Sequence, residues 1–160
     1  MDDKTQRSPE DKRAFDEFVR EMFEHKISFN EFLGFQVEKL DKNEALVGFD
    51  MKPELVGHYL YGRLHGGVIS SVLDVVGGLA VMMAIEDYHQ DETAMQVIDR
   101  FKHLGTVDLR VDYLRQGVGE RFTASANVVR LGKRIASTHM ELTNQEDKLI
   151  ATGSATYIVS

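Results

Sequence analysis

LHGGVISSVLDVVGGLAVMMAI, residues 64–85, is the stretch whose reading decides the fold. Past the two glycines, Val68, Ile69, Val72, Leu73, Val75, Val76, Leu79 and the run Ala80 to Met83 leave almost no polar face. Such a pattern predicts a helix wrapped by protein on all sides. Asp74 stands in the middle of it. Taking an ionised carboxylate out of water costs several kcal/mol unless a partner relieves it, so this acid is either a structural ion-pair member or a reactive group. His65-Gly66-Gly67 at the helix start favours the second reading. Free N–H groups there, with no side chain to block approach, suit the developing negative charge of carbonyl chemistry. His65 and Asp74 are about nine residues apart, which on a continuous helix is roughly 13 Å along the axis and half a turn in rotation. A two-fold dimer, in which the glycine end of one helix meets Asp74 of its twin, would bring them to one reacting atom. The spacing therefore predicts an obligate homo-oligomer with composite sites.

At 160 residues the chain suits one compact domain with one core. Its net charge of −7 argues against a nucleic-acid partner, which needs a basic face. There is no cysteine, so disulfides, thiolate nucleophiles and thiolate zinc sites are excluded, and a reducing cytoplasm is the expected location. The start, MDDKTQRSPEDK, is polar and acidic and lacks the pattern of a secretory signal. The central apolar run, broken by Asp74, Gly77 and Gly78, falls short of a membrane span, and no membrane association is expected.

In chain order, residues 1–7 are expected as a disordered tail and 8–160 as a single domain. Ser8, Pro9, Glu10 and Asp11 form a helix start, and Phe15, Phe18, Val19, Met22 and Phe23 continue at helical spacing to about Lys26. ISFNEFLG (27–34) reads as a connection, and residues 35–37 and 45–51 as two strands. The loop 56–63, VGHYLYGR, leads into the central helix, and such a loop beside a site often closes over substrate. Residues 86–103 read as an acidic, solvated connection without metal-ligand spacing. Four strands follow, at 104–115, 121–131, 135–143 and 149–158, with alternation through Val107, Leu109, Val111 and Tyr113 and through Phe122, Ala124, Ala126 and Val128. The order predicts an α+β fold, an antiparallel sheet with its long helix packed on one face and an extra N-terminal helix.

GxLHGG with an Asp nine positions beyond the His, followed by GTVDLRVDYLR, LGKR and LIATGSATY, resembles the hotdog-fold acyl-CoA thioesterases of the phenylacetate-pathway (PaaI) type, including the YigI-like branch. The resemblance covers roughly residues 29–158; only the N-terminal helix and the 86–103 connection lie outside it. It implies a sheet curled around a long helix, homodimers that often pair as dimers of dimers, and sites between subunits. By position it implies Asp74 as nucleophile or general base, the Gly66 N–H as oxyanion donor, His65 as the residue that orients the thioester carbonyl, and Thr106 as a hydroxyl that positions the attacking water. Strict alternation groups Thr106 with Asp108 and Arg110, so it reaches Asp74 only if the start of its strand faces the helix. Where many relatives place an Asn before HGG, this chain has His58-Tyr59.

The chemistry asks for these residue types. A carboxylate in an apolar pocket is poorly hydrated and gains basicity toward water or reactivity toward a thioester. A glycine N–H at a helix end stabilises the tetrahedral oxyanion by about 3 kcal/mol. No cofactor is expected beyond the CoA carried by the substrate. Arg115, Arg130, Lys133 and Arg134, at strand ends and a turn, are either CoA-phosphate ligands or solvated charges. His58, Tyr59, Tyr61, Gly67, Met82 and Met83 are candidate substrate contacts. The expected activity is hydrolysis of medium/long-chain or aromatic acyl-CoA. A non-catalytic acyl-CoA-binding domain and a hydratase on the same scaffold are the alternatives, since fold does not fix chemistry.

Overall fold

The computed structural model describes residues 7–160. Helix α1 (Pro9–Glu21) starts at its sequence signal: the Ser8 hydroxyl accepts the Asp11 N–H at 3.1 Å, with Pro9 and two acids in the first turn. Its stripe buries Phe15 and Val19, and a wider π-type turn, Met22–Lys26, adds Phe23. Residues 1–6 of the expected tail lie outside the described residues. Arg7, its last member, is a correction: the guanidinium is buried, ion-paired with Glu86, and donates to the carbonyls of His89 and Glu92 at 3.0 Å.

The 27–34 connection is also revised. Ser28–Leu33 form a short helix, α2, which ends at Gly34 with φ 76°, a left-handed conformation that glycine adopts without a Cβ penalty. Strands β1 (Gln36–Lys39) and β2 (Ala45–Asp50) follow as expected. The 56–63 loop is a small antiparallel hairpin of β3 (Val56–His58) and β4 (Arg63–Leu64). It delivers the chain to the central helix α3 (Gly66–Tyr88). Beyond it, α4 (Ala94–Arg100) overturns the reading of 86–103 as an irregular connection. Thr93 and Gln96 close a capping box around its first turn, and Val97 anchors it in the core at 0% exposure.

Strands β5 (Gly105–Tyr113), β6 (Arg121–Leu131), β7 (Ile135–Asn144) and β8 (Leu149–Ile158) complete a six-stranded antiparallel sheet in the order β1-β2-β6-β7-β8-β5. Small inward residues, Ala124, Ala126, Ala136, Ala151 and Ala155, let α3 lie close against it. Leu73 and Leu79 are fully buried there, each worth about 2 kcal/mol of transfer free energy. This is the expected hotdog arrangement, a sheet around a long helix. The wrapping is incomplete, however. Gly67, Ser70, Ser71, Asp74, Val75 and Gly78, at successive three- and four-residue steps, form one face of α3 that the sheet leaves partly exposed. The edge strand beside it, β5, leaves Val107 and Tyr113 exposed as well.

Candidate active site

Asp74 points from that uncovered face and is half-buried rather than enclosed. Its neighbours arrive through a register slip. Along β5, Thr106 sits opposite Tyr157 while Asp108 sits opposite Thr156, so Val107 is the extra residue of a β-bulge. The bulge shifts the strand's phase: Val107, expected inward, is 57% exposed, and Thr106 turns toward α3. The Thr106 hydroxyl then donates to Oδ1 of Asp74 at 2.8 Å. Tyr157, its cross-strand partner on β8, places its phenol oxygen 2.9 Å from the Asp74 carbonyl oxygen and 3.2 Å from Oδ1. Burial, reinforced by the Asp74 charge, pushes the Tyr157 hydroxyl far above the usual phenol range, so it keeps its proton and donates. Among the described residues, Oδ2 of Asp74 has no hydrogen-bond partner, and Asp74 has no ion-pair partner.

The other chemical feature is the start of α3. His65 caps the helix: its Nδ1 accepts the Gly67 N–H at 2.8 Å, and its carbonyl accepts the Val68 and Ile69 N–H groups. A neutral imidazole held in this way carries its proton on Nε2. The Gly66 N–H has no acceptor among the described residues. Tyr113 donates to the Gly66 carbonyl at 3.0 Å and steadies the turn.

At the far end of α3 lies a cavity of about 690 Å³. It is lined by Ile85, Leu131 and Val159 together with His89, Arg100, His103, Arg130 and Lys133. Arg100 is spent on Glu92, whose carboxyl it holds below the usual range. His103, Arg130 and Lys133 have no ion-pair partner among the described residues.

The thioesterase superfamily pattern matches residues 61–151, which hold the helix start, Asp74 and Thr106. The chain belongs to the thioesterase superfamily. It is 42% identical over 141 residues to the medium/long-chain acyl-CoA thioesterase YigI of Escherichia coli (strain K12), spanning 88% of this chain and 91% of that one. The corresponding YigI of Salmonella typhimurium is 40% identical over the same shares. A crystal structure from Shewanella oneidensis, described as related to the thioesterase superfamily, superposes with a TM-score of 0.89 at 38% identity, covering 96% of this chain and 99% of that one.

Within this superfamily member, Asp74 and Thr106 come together, whereas His65 and Gly66 lie at the start of the same helix, roughly 13 Å along its axis from Asp74. The four basic residues grouped by the sequence do not form one cluster. β5 runs antiparallel to β8, β8 to β7 and β7 to β6, so the end of β5 and the end of β6 point to opposite ends of the sheet. Arg115 therefore lies near Gly66, sharing a shallow pocket with it and donating to the Leu149 carbonyl at 2.9 Å. Arg130 and Lys133 line the distant cavity, and Arg134 is exposed beside them. His58 uses Nδ1 to accept the Leu60 N–H in its own hairpin, stacks on Tyr59 and meets Tyr61 at a tilt, and both tyrosines project into solvent. The Gly67 N–H is taken by His65, and Met83 is plain core at 1% exposure. Tyr157 is the neighbour that the sequence did not single out. The tyrosine ending LIATGSATY is visible there, but nothing local ties it to an acid 83 positions away.

Proposed function

We propose that this protein hydrolyses acyl-CoA thioesters to a free acid and CoA, at sites completed by a second copy of the chain. The observation that carries this reading is the pairing of an acid, free of any described cation, on the uncovered face of α3 with a helix start whose Gly66 N–H has no acceptor among the described residues. A two-fold partner seated on that face would bring its Gly66 N–H to the thioester carbonyl beside Asp74. The names of the curated relatives supply the substrate class, a medium- or long-chain acyl group on CoA.

In this reading the partner's glycine N–H, with the Nε2–H of the partner's histidine beside it, receives the negative charge that develops on the carbonyl oxygen. Asp74 removes a proton from water as water adds to the carbonyl carbon, or attacks that carbon itself and is later released by water. The C–S bond breaks, the sulfur leaves as the CoA thiolate and is protonated, and the acyl group departs as the acid. Thr106 holds the carboxylate, and its oxygen remains able to accept from the attacking water. The cavity at the end of α3 suits the phosphates of CoA, since its free cations lie on the same protomer as Asp74. Ile85 is three helical turns from Asp74, roughly 16 Å along the axis on the same helical face, a span that an extended pantetheine arm covers.

The test is thiol release from saturated acyl-CoAs of graded length. Release should peak with medium or long chains, and Asp74→Asn should lower it by about a thousandfold or more while light scattering still reports a dimer. Binding without release would make the protein an acyl-CoA sensor, and turnover confined to enoyl-CoA would make it a hydratase. Near-normal hydrolysis by the variant would remove Asp74 from the chemistry.

A further inference from the structure

We propose that Tyr157 is a positioning residue for this site: with Thr106 it pins Oδ1 of Asp74, leaving Oδ2 as the oxygen presented to water or thioester. The proposal rests on the hydrolase reading above and adds to it a division of labour within the carboxylate.

Tyr157 is among the largest fully buried side chains of the molecule, and a phenol at 2% exposure has to find an acceptor inside the protein. It finds two on one residue. Its hydroxyl lies 2.9 Å from the Asp74 carbonyl oxygen and 3.2 Å from Oδ1, so a single donor fixes both the backbone and the side chain of Asp74. Thr106 meets the same oxygen from β5 at 2.8 Å, opposite Tyr157 in the register of the sheet. These two hydroxyls are the groups that face the carboxylate from the sheet, and no described cation pairs with it. Two donors on one oxygen restrict the rotation about χ2 and leave Oδ2 without a partner among the described residues.

The close approach is built into the helix. A Cβ at Gly77 would stand 2.3 Å from the Tyr157 phenol oxygen, so any larger residue there drives the phenol off Asp74. Gly77 lies one turn beyond Asp74, where a helix interior ordinarily disfavours glycine by about 1 kcal/mol relative to alanine. The glycine makes room for the ring that holds the acid. Because burial and the neighbouring acid hold the proton on the Tyr157 hydroxyl well above the usual phenol range, it remains a donor at neutral pH.

The test compares Tyr157→Phe with the wild-type protein, since Phe keeps the ring and removes only the donor. The variant should lose about tenfold in kcat with KM within twofold, because substrate contacts are untouched. Removing a donor from an ionised carboxylate disfavours that form, so the acid limb of the kcat/KM profile should move to higher pH. 3-Fluorotyrosine at position 157, a stronger donor of nearly the same shape, should move the limb the opposite way. Carboxyl-13C NMR of labelled aspartate reads the same displacement without turnover: the Asp74 midpoint should rise from wild type to Tyr157→Phe. If the wild-type protein released no thiol, the hydrolase reading would fail while this NMR comparison still decided the role of Tyr157. A lowered melting temperature with an unmoved acid limb and an unmoved NMR midpoint would reduce Tyr157 to core packing and overturn the proposal.

Discussion

His65 illustrates how one residue divides structure from chemistry. Its Nδ1 belongs to the helix, accepting the Gly67 N–H at 2.8 Å, which leaves Nε2–H as the group free to meet a ligand. Asparagine is also a strong N-cap, so His65→Asn should preserve the cap while deleting the second donor. We expect the variant to melt close to the wild-type protein and to lose about tenfold in kcat, whereas His65→Ala should in addition cost about 1 kcal/mol in chemical denaturation. Equal stability losses in both variants would assign His65 to capping alone. Asp74, Gly66 and His65 were legible as a candidate site because each stands out locally, an acid among valines and a glycine pair at a helix start. Tyr157 was not, since its importance comes from a cross-sheet meeting that no local pattern encodes.

At the level of elements, the β5 bulge and α4 each do something that the chain's periodicity conceals. Alternation through Val107, Leu109, Val111 and Tyr113 reads as one unbroken row, yet Val107 is left exposed while Thr106, out of that row, reaches Asp74 on α3. A bulge belongs to the pairing of two strands, here β5 with β8, and becomes visible only when the partner's register is known. For α4 the capping-box residues Thr93 and Gln96 were present in the sequence, but the helix spans only Ala94–Arg100, too short for periodicity to stand out against its acidic surroundings. Together with the β6–β7 turn, this segment lines the cationic cavity. If that cavity takes the CoA phosphates, charge reversal in Lys133→Glu should raise KM for acyl-CoA about tenfold with little change in kcat. A short thioester such as the N-acetylcysteamine ester, which carries no nucleotide, should be unaffected. Equal effects on both substrates would return Lys133 to the solvated surface.

For the whole molecule, the question is what covers α3. Val75 lies on its half-exposed face between Ser71 and Gly78, next to Asp74 but with no part in the proposed chemistry. An arginine there would bury an unpaired charge in a subunit contact, at a cost of several kcal/mol. Val75→Arg should therefore sediment as a monomer and lose thioesterase activity together with assembly; an active monomer would contradict the composite site. The amino-acid sequence alone determined the central helix, the antiparallel strands around it and the choice of Asp74 as the candidate acid, because apolar periodicity, turn residues and a lone carboxylate are properties of neighbouring positions. Tertiary structure alone decided that one face of α3 stays open, that Thr106 and Tyr157 converge on Oδ1, and that Arg115 parts from Arg130 and Lys133. These outcomes depend on strand register and direction, which are fixed only when segments far apart in the chain pack into one sheet.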